Sequence, residues 1–368
     1  MRYNLTMKYL PTIISPPNYL AMPSYGLDLS DRTLKFMKFR RAGGRLRIEH
    51  YGSKVIPEGL IVSGEIKKSE ELSKFIRESC APIGIKNIIT ALPEEKAFLR
   101  IVQLPKMEPE DIRTALEVNL AEHVPMPASD AVFDFEIASN PDSASEHIDV
   151  LLVVFPSTIV ESYYNVYSAA EIAPLAFETE MHAISRAVIN KEKMQSYLIV
   201  DFGRTRTSFI IVSGNQIKFA STIPTSGQDL NKAIARTFGV SLFEAEKMKK
   251  DEVDLSNPDV NRKLSESILP IISAIRDEVV NHITYWNAHS SHLHMGESPS
   301  IKKILLAGGD SNLVGFVEYL SSSIQSPVEH INAWSNVASF DEYIPEIHFR
   351  ESLSYAPAIG LALRAINE

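Results

Sequence analysis

The chain has 368 residues, 45% of them apolar and 23% charged, with a net charge of −9. These proportions fit a folded protein of two to three domains or one two-lobed body, and they exclude collagen-like, coiled-coil and disordered classes. The acidic balance opposes nucleic-acid binding, and the single cysteine, Cys80, excludes a disulfide framework and a cysteine-rich zinc site.

The first 24 residues carry Pro11, Pro16, Pro17 and Pro23 around a short apolar stretch, Leu10–Ile14. That stretch is too short for a signal-peptide core, so an extended N-terminal arm is expected over 1–24. No apolar run reaches the 18 residues a membrane span needs. The tail, Leu353–Glu368, is short of the basic residues of a membrane-surface helix.

Tyr25–Leu29, Thr33–Arg40 and Arg45–Val55 read as three antiparallel strands, with Gly43-Gly44 as a turn. Ser69–Cys80 reads as a helix capped by Ser69, and Asn87–Leu92 as a buried strand. Ala97–Gln103 alternates as a strand. Glu108–His123 is a helix with Pro109 in its first turn, closed by Pro125 and Pro127. Strands are expected over Ala131–Ala138, His147–Phe155 and Ile172–Phe177. Helices are expected over Ser157–Ala170 and Glu180–Ile189.

The opening pattern then recurs. Ser196–Asp201 is an apolar strand ending in aspartate, followed by Thr207–Ser213 and Gln216–Thr222. The two copies are Gly26-Leu27-Asp28-Leu29-Ser30-Asp31-Arg32-Thr33 and Val200-Asp201-Phe202-Gly203-Arg204-Thr205-Arg206-Thr207. A repeat of this kind fixes architecture. It predicts a duplicated α/β domain whose two aspartate turns face each other across a cleft. From Asp229 to His289 the pattern is mostly helical. Ile301–Ala307 is a buried strand running into Gly308-Gly309, with helices over Leu313–Ile324 and Ser354–Ala365.

Turns rich in hydroxyls and free N–H groups can hold phosphate oxygens, and an aspartate can hold a hydrated divalent cation. Asp28 and Asp201 are therefore the candidate metal residues. Glycines after the apolar strand let backbone approach a flat ligand, and a helix N-terminus there favours anions. No Gly-x-x-x-x-Gly-Lys-Ser/Thr loop is present. Only 16 residues are glycine, and Gly26, Gly203, Gly308, Gly309 and Gly360 fall at these key points. His282, His289, His292 and His294 could be read as a metal cluster. They lack an assured carboxylate partner, and a solvated surface is the simpler reading. Trp286 and Tyr285 are expected in the core.

The order of aspartate turns, the apolar strand with Gly308-Gly309 and the Gly360 helix resembles the actin-like ATPase superfamily. Within it, Arg100, Leu104-Pro105, Glu117 and Glu122-His123-Val124-Pro125-Met126-Pro127 resemble the inserted subdomain of the PilM family of cytoplasmic type IV pilus assembly proteins. Ala245-Glu246-Lys247-Met248-Lys249 resembles that family's adenosine-contacting helix, and Glu180–Arg186 its connecting helix.

The resemblance implies a two-lobed α/β, ribonuclease H-like fold. It places the first lobe in 25–93, 160–195 and 340–368, and an inserted α+β subdomain in 94–159. The second lobe would take 196–228 and 300–339, with a helical subdomain over 229–299. It also implies ATP or ADP with Mg2+ as cofactor. Asp28 and Asp201 would position the metal through water, and Ser30, Asp31, Arg32, Thr33 and Lys35 would meet phosphate from one side. Gly203, Arg204 and Thr205 would hold the other side. Glu246 and Lys249 would approach the nucleoside, with Gly308, Gly309 and Ser311 as adenine floor. Glu180 would position an attacking water. Ser30 stands where the family commonly has glycine, and Asp31 would add negative charge beside the phosphates, offset by Arg204 and Arg206. ATP binding is thus expected with weak or absent turnover.

The implied partner is the N-terminal cytoplasmic peptide of a PilN-type inner-membrane protein, bound between the first lobe and the inserted subdomain. Other pilus assembly proteins would join it, without nucleic acid or direct membrane insertion. The alternatives are a sugar kinase and an FtsA-like division filament protein, both of the same superfamily.

Overall fold

The computed structural model describes residues 22–138, 146–190, 195–289 and 300–366. The region 1–24 expected as an arm lies almost wholly outside them, as do His292, His294 and the side chain of His289.

The first lobe is built on a five-stranded sheet. Its strands are β1 (Tyr25–Leu29), β2 (Thr33–Ala42), β3 (Arg45–Val55), β6 (Asn87–Leu92) and β10 (Ala173–Thr179), in the order β10-β6-β1-β2-β3. β4 (Ile61–Val62) and β5 (Glu65–Ile66) form a small hairpin beside it. β1 runs antiparallel to β2 and parallel to β6.

The second lobe repeats this design. β11 (Ser196–Phe202), β12 (Thr207–Ser213), β13 (Gln216–Ile223), β14 (Ile301–Ala307) and β15 (Val328–His330) take the order β13-β12-β11-β14-β15. β11 is again antiparallel to its hairpin partner and parallel to the crossover strand. The predicted internal repeat is therefore a repeat of topology, strand for strand. The central strands are buried on both faces, which explains their near-continuous apolar sequence.

Between them, β7 (Phe98–Pro105), β8 (Ala131–Ile137) and β9 (His147–Pro156) form a sheet in the order β7-β9-β8. Helix α2 (Pro109–His123) covers it through Ile112, Leu116 and Leu120.

The remaining helices are α1 (Ser69–Cys80), α3 (Ser157–Ala169), α4 (Glu180–Val188), α5 (Gly227–Phe238), α6 (Leu242–Glu252), α7 (Arg262–His289), α8 (Phe316–Ile324), the single turn α9 (Phe349–Ser352) and α10 (Ala356–Ala365). One buried cluster joins the lobes, since Ile184 and Ala187 of α4, Ile359 of α10, Ile210 and Ile217 of the second sheet and Leu151 of the inserted sheet pack together. At about 25 cal/mol per Å2 of apolar surface removed from water, such a shared core resists separation of the lobes.

Some expectations shift. Ser69 is the first helical residue of α1 rather than its cap. Lys68 holds the cap position without a side-chain hydrogen bond, and Glu70 and Glu71 complement the helix dipole instead. The helix expected from Leu313 begins at Phe316, because Gly309–Asn312 forms a 3-10 turn and Gly315 enters the left-handed region at φ 77°. His282 is buried, not solvated. Its ring stacks on Phe209 at 4.5 Å and pairs with the Ser221 hydroxyl at 2.6 Å. Trp286 is in the core as expected, whereas Tyr285 is 45% exposed against Phe219.

Candidate functional site

The two aspartate turns meet in a cleft of about 340 Å3 between the lobes, within the range of small-ligand sites. Their backbones are alike. Two residues after each aspartate an N–H closes the turn on a carbonyl three residues on: Ser30 to Thr33 at 2.9 Å, and Gly203 to Arg206 at 3.0 Å. In the first turn the Ser30 hydroxyl also accepts from the Thr33 N–H at 3.1 Å, a bond a glycine could not make.

Asp28 and Asp201 are strand residues whose side chains enter this cleft from opposite lobes. Burial pushes the Asp28 carboxyl up to about 6, against the pull of Lys35, whose Nζ lies 3.7 Å away. Burial, with the Glu180 carboxylate next, pushes Asp201 up to about 7. Both charges are therefore costly, and a cation between them would relieve that cost. Among the described residues no three histidine, cysteine or acidic side chains converge to hold a metal directly. The pair thus fits a hydrated ion held through water rather than a stripped one.

Ser30, Arg32, Thr33 and Lys35 line one side of the cleft, and Gly203, Arg204 and Thr205 the other. Glu246, Gly308 and Gly309 close the far end, and Glu180 lies at the base. Gly308 adopts φ +86°, and a Cβ there would lie 2.6 Å from Asp201 Oδ1 and clash with the Phe202 carbonyl. Only glycine lets this strand end pass so close to the second aspartate.

Three expected residues point elsewhere. The Asp31 carboxylate accepts from the Ser63 and Gly64 N–H groups at 2.8 and 3.0 Å. It anchors the β4–β5 hairpin and adds no charge to the cleft wall. Lys249 is buried and donates to Asp310 at 2.5 Å and to the Gly227 carbonyl at 3.3 Å. Glu246 faces the cleft, held by Arg204 at 3.0 Å and Lys250 at 2.9 Å, so the two residues do not act on one ligand face. Ser311 is fully buried and donates to the Gly308 carbonyl at 2.7 Å, which closes the glycine turn from behind.

Sequence reasoning missed several cleft residues. Ser53, Lys250, Asp310, Glu351, Ser354, Tyr355 and Pro357 also line it. Lys35 lies 5.9 Å from the Tyr355 ring centre. Asp310 adjoins the expected glycine pair and was readable from it; Ser53 and Tyr355 arrive from β3 and the turn before α10 with no local signal. Arg206, expected only to offset charge, sits at the cleft base and donates to Glu180 at 2.5 Å and to Glu95 at 3.0 Å.

A second, larger cavity of about 920 Å3 lies between the inserted sheet and the first lobe. Five consecutive residues of β8, Val132 to Glu136, line one wall. Residues of both strand faces take part, so the groove runs along the strand's edge. β8 pairs only with β9 among the described residues, which leaves that edge without a ladder. The opposite wall carries Glu178, Thr179, His182, Arg186 and Arg364. Glu178 is clasped by Arg186 at 2.6 and 2.8 Å and by Arg364 at 2.9 Å.

Known proteins share this architecture. A solved structure titled "PilM-PilN type IV pilus biogenesis complex" matches with a TM-score of 0.77 and 22% identity, over 94% of this chain and 99% of that chain. The ethanolamine utilization protein EutJ from Carboxydothermus hydrogenoformans matches at TM-score 0.53 and 15% identity, over 94% and 93% of the two chains. MreB5 of Spiroplasma citri bound to ADP matches at TM-score 0.55 and 13% identity, over 93% and 97%. These likenesses establish the actin-like ATPase fold. The family model described as type IV pilus assembly protein PilM matches residues 26–366. The chain belongs to the PilM family of type IV pilus assembly proteins.

Proposed function

We propose that this protein is an ATP-binding scaffold that captures the N-terminal cytoplasmic peptide of a PilN-type inner-membrane protein and reports nucleotide state to the pilus machine. The observation that carries this reading is the groove beside β8. An extended segment can add a strand to that open edge, taking affinity from main-chain hydrogen bonds and specificity from side-chain pockets. Phe133 and Phe135 offer apolar contact, with the Arg113 guanidinium 5.1 and 5.7 Å from their ring centres. The relative solved as a PilM-PilN complex supports the choice of partner. Held in this way, the protein would sit in the cytoplasm against the inner membrane through its partner; among the described residues no helix is long and apolar enough to cross a membrane.

The cleft is the nucleotide site in this reading. Relatives of the same fold were solved with ADP and with AMPPNP. Asp28 and Asp201 would hold a hydrated Mg2+. Ser30, Arg32, Thr33 and Lys35 would meet phosphate opposite Gly203, Arg204 and Thr205, and Glu246 would approach the nucleoside beside Gly308 and Gly309. The Mg2+ bound with the nucleotide would supply the positive charge that the paired aspartates lack. Glu180 is suited to orient a water, but Arg206 already holds its carboxylate. The chain's own residues therefore favour holding nucleotide over turning it over.

Calorimetric titration tests the proposal with Mg-ATP, and separately with a synthetic peptide of the cytoplasmic N-terminus of the PilN-type protein encoded in the same genome. Saturable binding of both is expected. A protein that binds neither has another role.

A further inference from the structure

The groove wall β8 belongs to a subdomain inserted in the first lobe's chain, yet its C-terminal end is tied to the second lobe. Gln216 Nε2 donates to the Ile137 carbonyl at 2.8 Å, and Lys218 Nζ to the Ala138 carbonyl at 2.5 Å. Gln216 Oε1 accepts from Lys218 at 2.7 Å, so the two side chains act as one clamp. Lys218 is only 4% exposed, which makes the clamp costly to break. The tie of β8 to the first lobe is looser: His182 Nε2 lies 3.4 Å from Glu136, whose side chain is 56% exposed.

Gln216 and Lys218 stand on β13, the edge of the second sheet. β13 is laddered to β12 and β12 to β11, which carries Asp201. These strands form one hydrogen-bonded sheet. On the first-lobe side, the residues at the junction of β10 and α4 face both cavities. Thr179 and His182 line the groove, while Glu180 between them lines the cleft and binds Arg206 of the second lobe. The groove thus has one wall clamped to each lobe.

We propose that the Gln216–Lys218 clamp couples the two sites: a change in lobe angle at the cleft moves β8 and alters the groove, and a segment seated on β8 biases the lobe angle in return. This coupling rests on the functional reading above, with nucleotide in the cleft and peptide in the groove. Linkage requires the effect to be reciprocal. The clamp residues line neither cavity, so removing them should sever coupling without removing either site.

The test measures the dissociation constant of the same PilN-type peptide by fluorescence anisotropy, with and without saturating Mg-ADP. The wild-type ratio is expected to reach at least about fivefold, the lower range of measured couplings. In Gln216→Ala/Lys218→Met the ratio should fall to within about twofold of one, with each ligand still binding alone. Gln216→Ala by itself, at a half-buried position, should give an intermediate ratio. Hydrogen exchange on the wild type is the measurement that does not depend on a variant folding: Mg-ADP should change protection of the β8 amides. A wild-type ratio of one, an undiminished ratio in the double variant, or β8 amides indifferent to Mg-ADP would each overturn the coupling while leaving both sites standing. Absence of binding by either ligand removes the functional reading, and the coupling with it.

Discussion

Arg206 reaches from the second lobe to Glu180 at the start of α4, its guanidinium 2.5 Å from the carboxylate. The same side chain donates to Glu95 at 3.0 Å. One cation therefore bridges two carboxylates beneath the cleft, each from the other side of the lobe boundary. Its position matches Thr33 of the first turn, so the repeat diverges here from a turn residue into an interlobe latch.

Removing this guanidinium should destabilise the protein more than a surface arginine would. Arg206→Met leaves buried Glu180 and half-buried Glu95 without their cation. Breaking one partner out of a buried ion pair costs about 3–5 kcal/mol. Urea denaturation at neutral pH should show a loss of that order, partly recovered in Arg206→Met/Glu180→Gln. A loss below about 1 kcal/mol would place the pair among exposed bridges of little worth.

Glu94 should weaken the folded state as pH rises. Burial, with the Glu180 carboxylate next, pushes its carboxyl up to about 8 from an ordinary value of 4.5, and its Oε1 has no hydrogen-bond partner among the described residues. The folded state therefore binds this proton more tightly than the unfolded chain does. Stability from this group is fully present below about 4.5 and declines as pH climbs toward 8. Glu94→Gln removes the titration. The variant should match wild type near pH 5 and exceed it at pH 8 by a few kcal/mol, since each tenfold gain in proton affinity on folding is worth about 1.36 kcal/mol. Thermal melts of both proteins between those values check the slope. Parallel curves would mean that the carboxyl ionises at no cost.

Most of the fold was readable because its signals are local. Period-two alternation marked β2 and β3, and a buried apolar run ending in aspartate marked β11. The recurrence of that pattern implied the two-lobed cleft. Short elements escaped: β15 has three residues, and β4 and β5 have two each. Such strands exist through their neighbours rather than through their own composition. At the site, helical spacing put Glu246 and Lys249 on one face. The choice between ligand and Asp310 for Lys249 depends on a residue 61 positions away, which spacing cannot express. Arg206 is the same case, since Glu95 lies 111 positions from it.

Gly308 is where a single methyl group should separate the fold from the cleft. Its φ of +86° strains any side chain, and an added Cβ would press on Phe202 and on Asp201 Oδ1. Gly308→Ala should cost about 1–3 kcal/mol from backbone conformation alone. It should also displace Asp201 and so abolish Mg-ADP binding, read by calorimetry. The neighbouring Gly309→Ala is the control, because a Cβ there meets only Ser354 at 3.6 Å, an ordinary contact. Equal losses in both variants would show that the turn as a whole, not the approach to Asp201, carries the effect.

The two aspartates should prove equivalent in metal dependence and different in degree in what they do to the nucleotide-free protein. Asp28 is buried and Asp201 half-buried, and each has its ionised form disfavoured by desolvation. Without nucleotide, Asp201→Asn removes a charge that Arg206 and Lys35 offset from a distance, and it should leave stability unchanged or raised at pH 8. Asp28→Asn also removes the carboxylate 3.7 Å from Lys35, which keeps its bond to the Thr33 hydroxyl at 3.1 Å, so a smaller gain is expected there. With nucleotide the sign changes. A hydrated divalent ion shared by both carboxylates loses a negative partner in either variant. The gain in ADP affinity that Mg2+ confers on the wild type should therefore shrink at least about tenfold in both, a change of about 1.4 kcal/mol. ADP titrations with Mg2+ and with EDTA read that ratio directly. A variant that keeps the full Mg2+ effect does not hold the ion, and if both keep it, the metal lies elsewhere in the cleft.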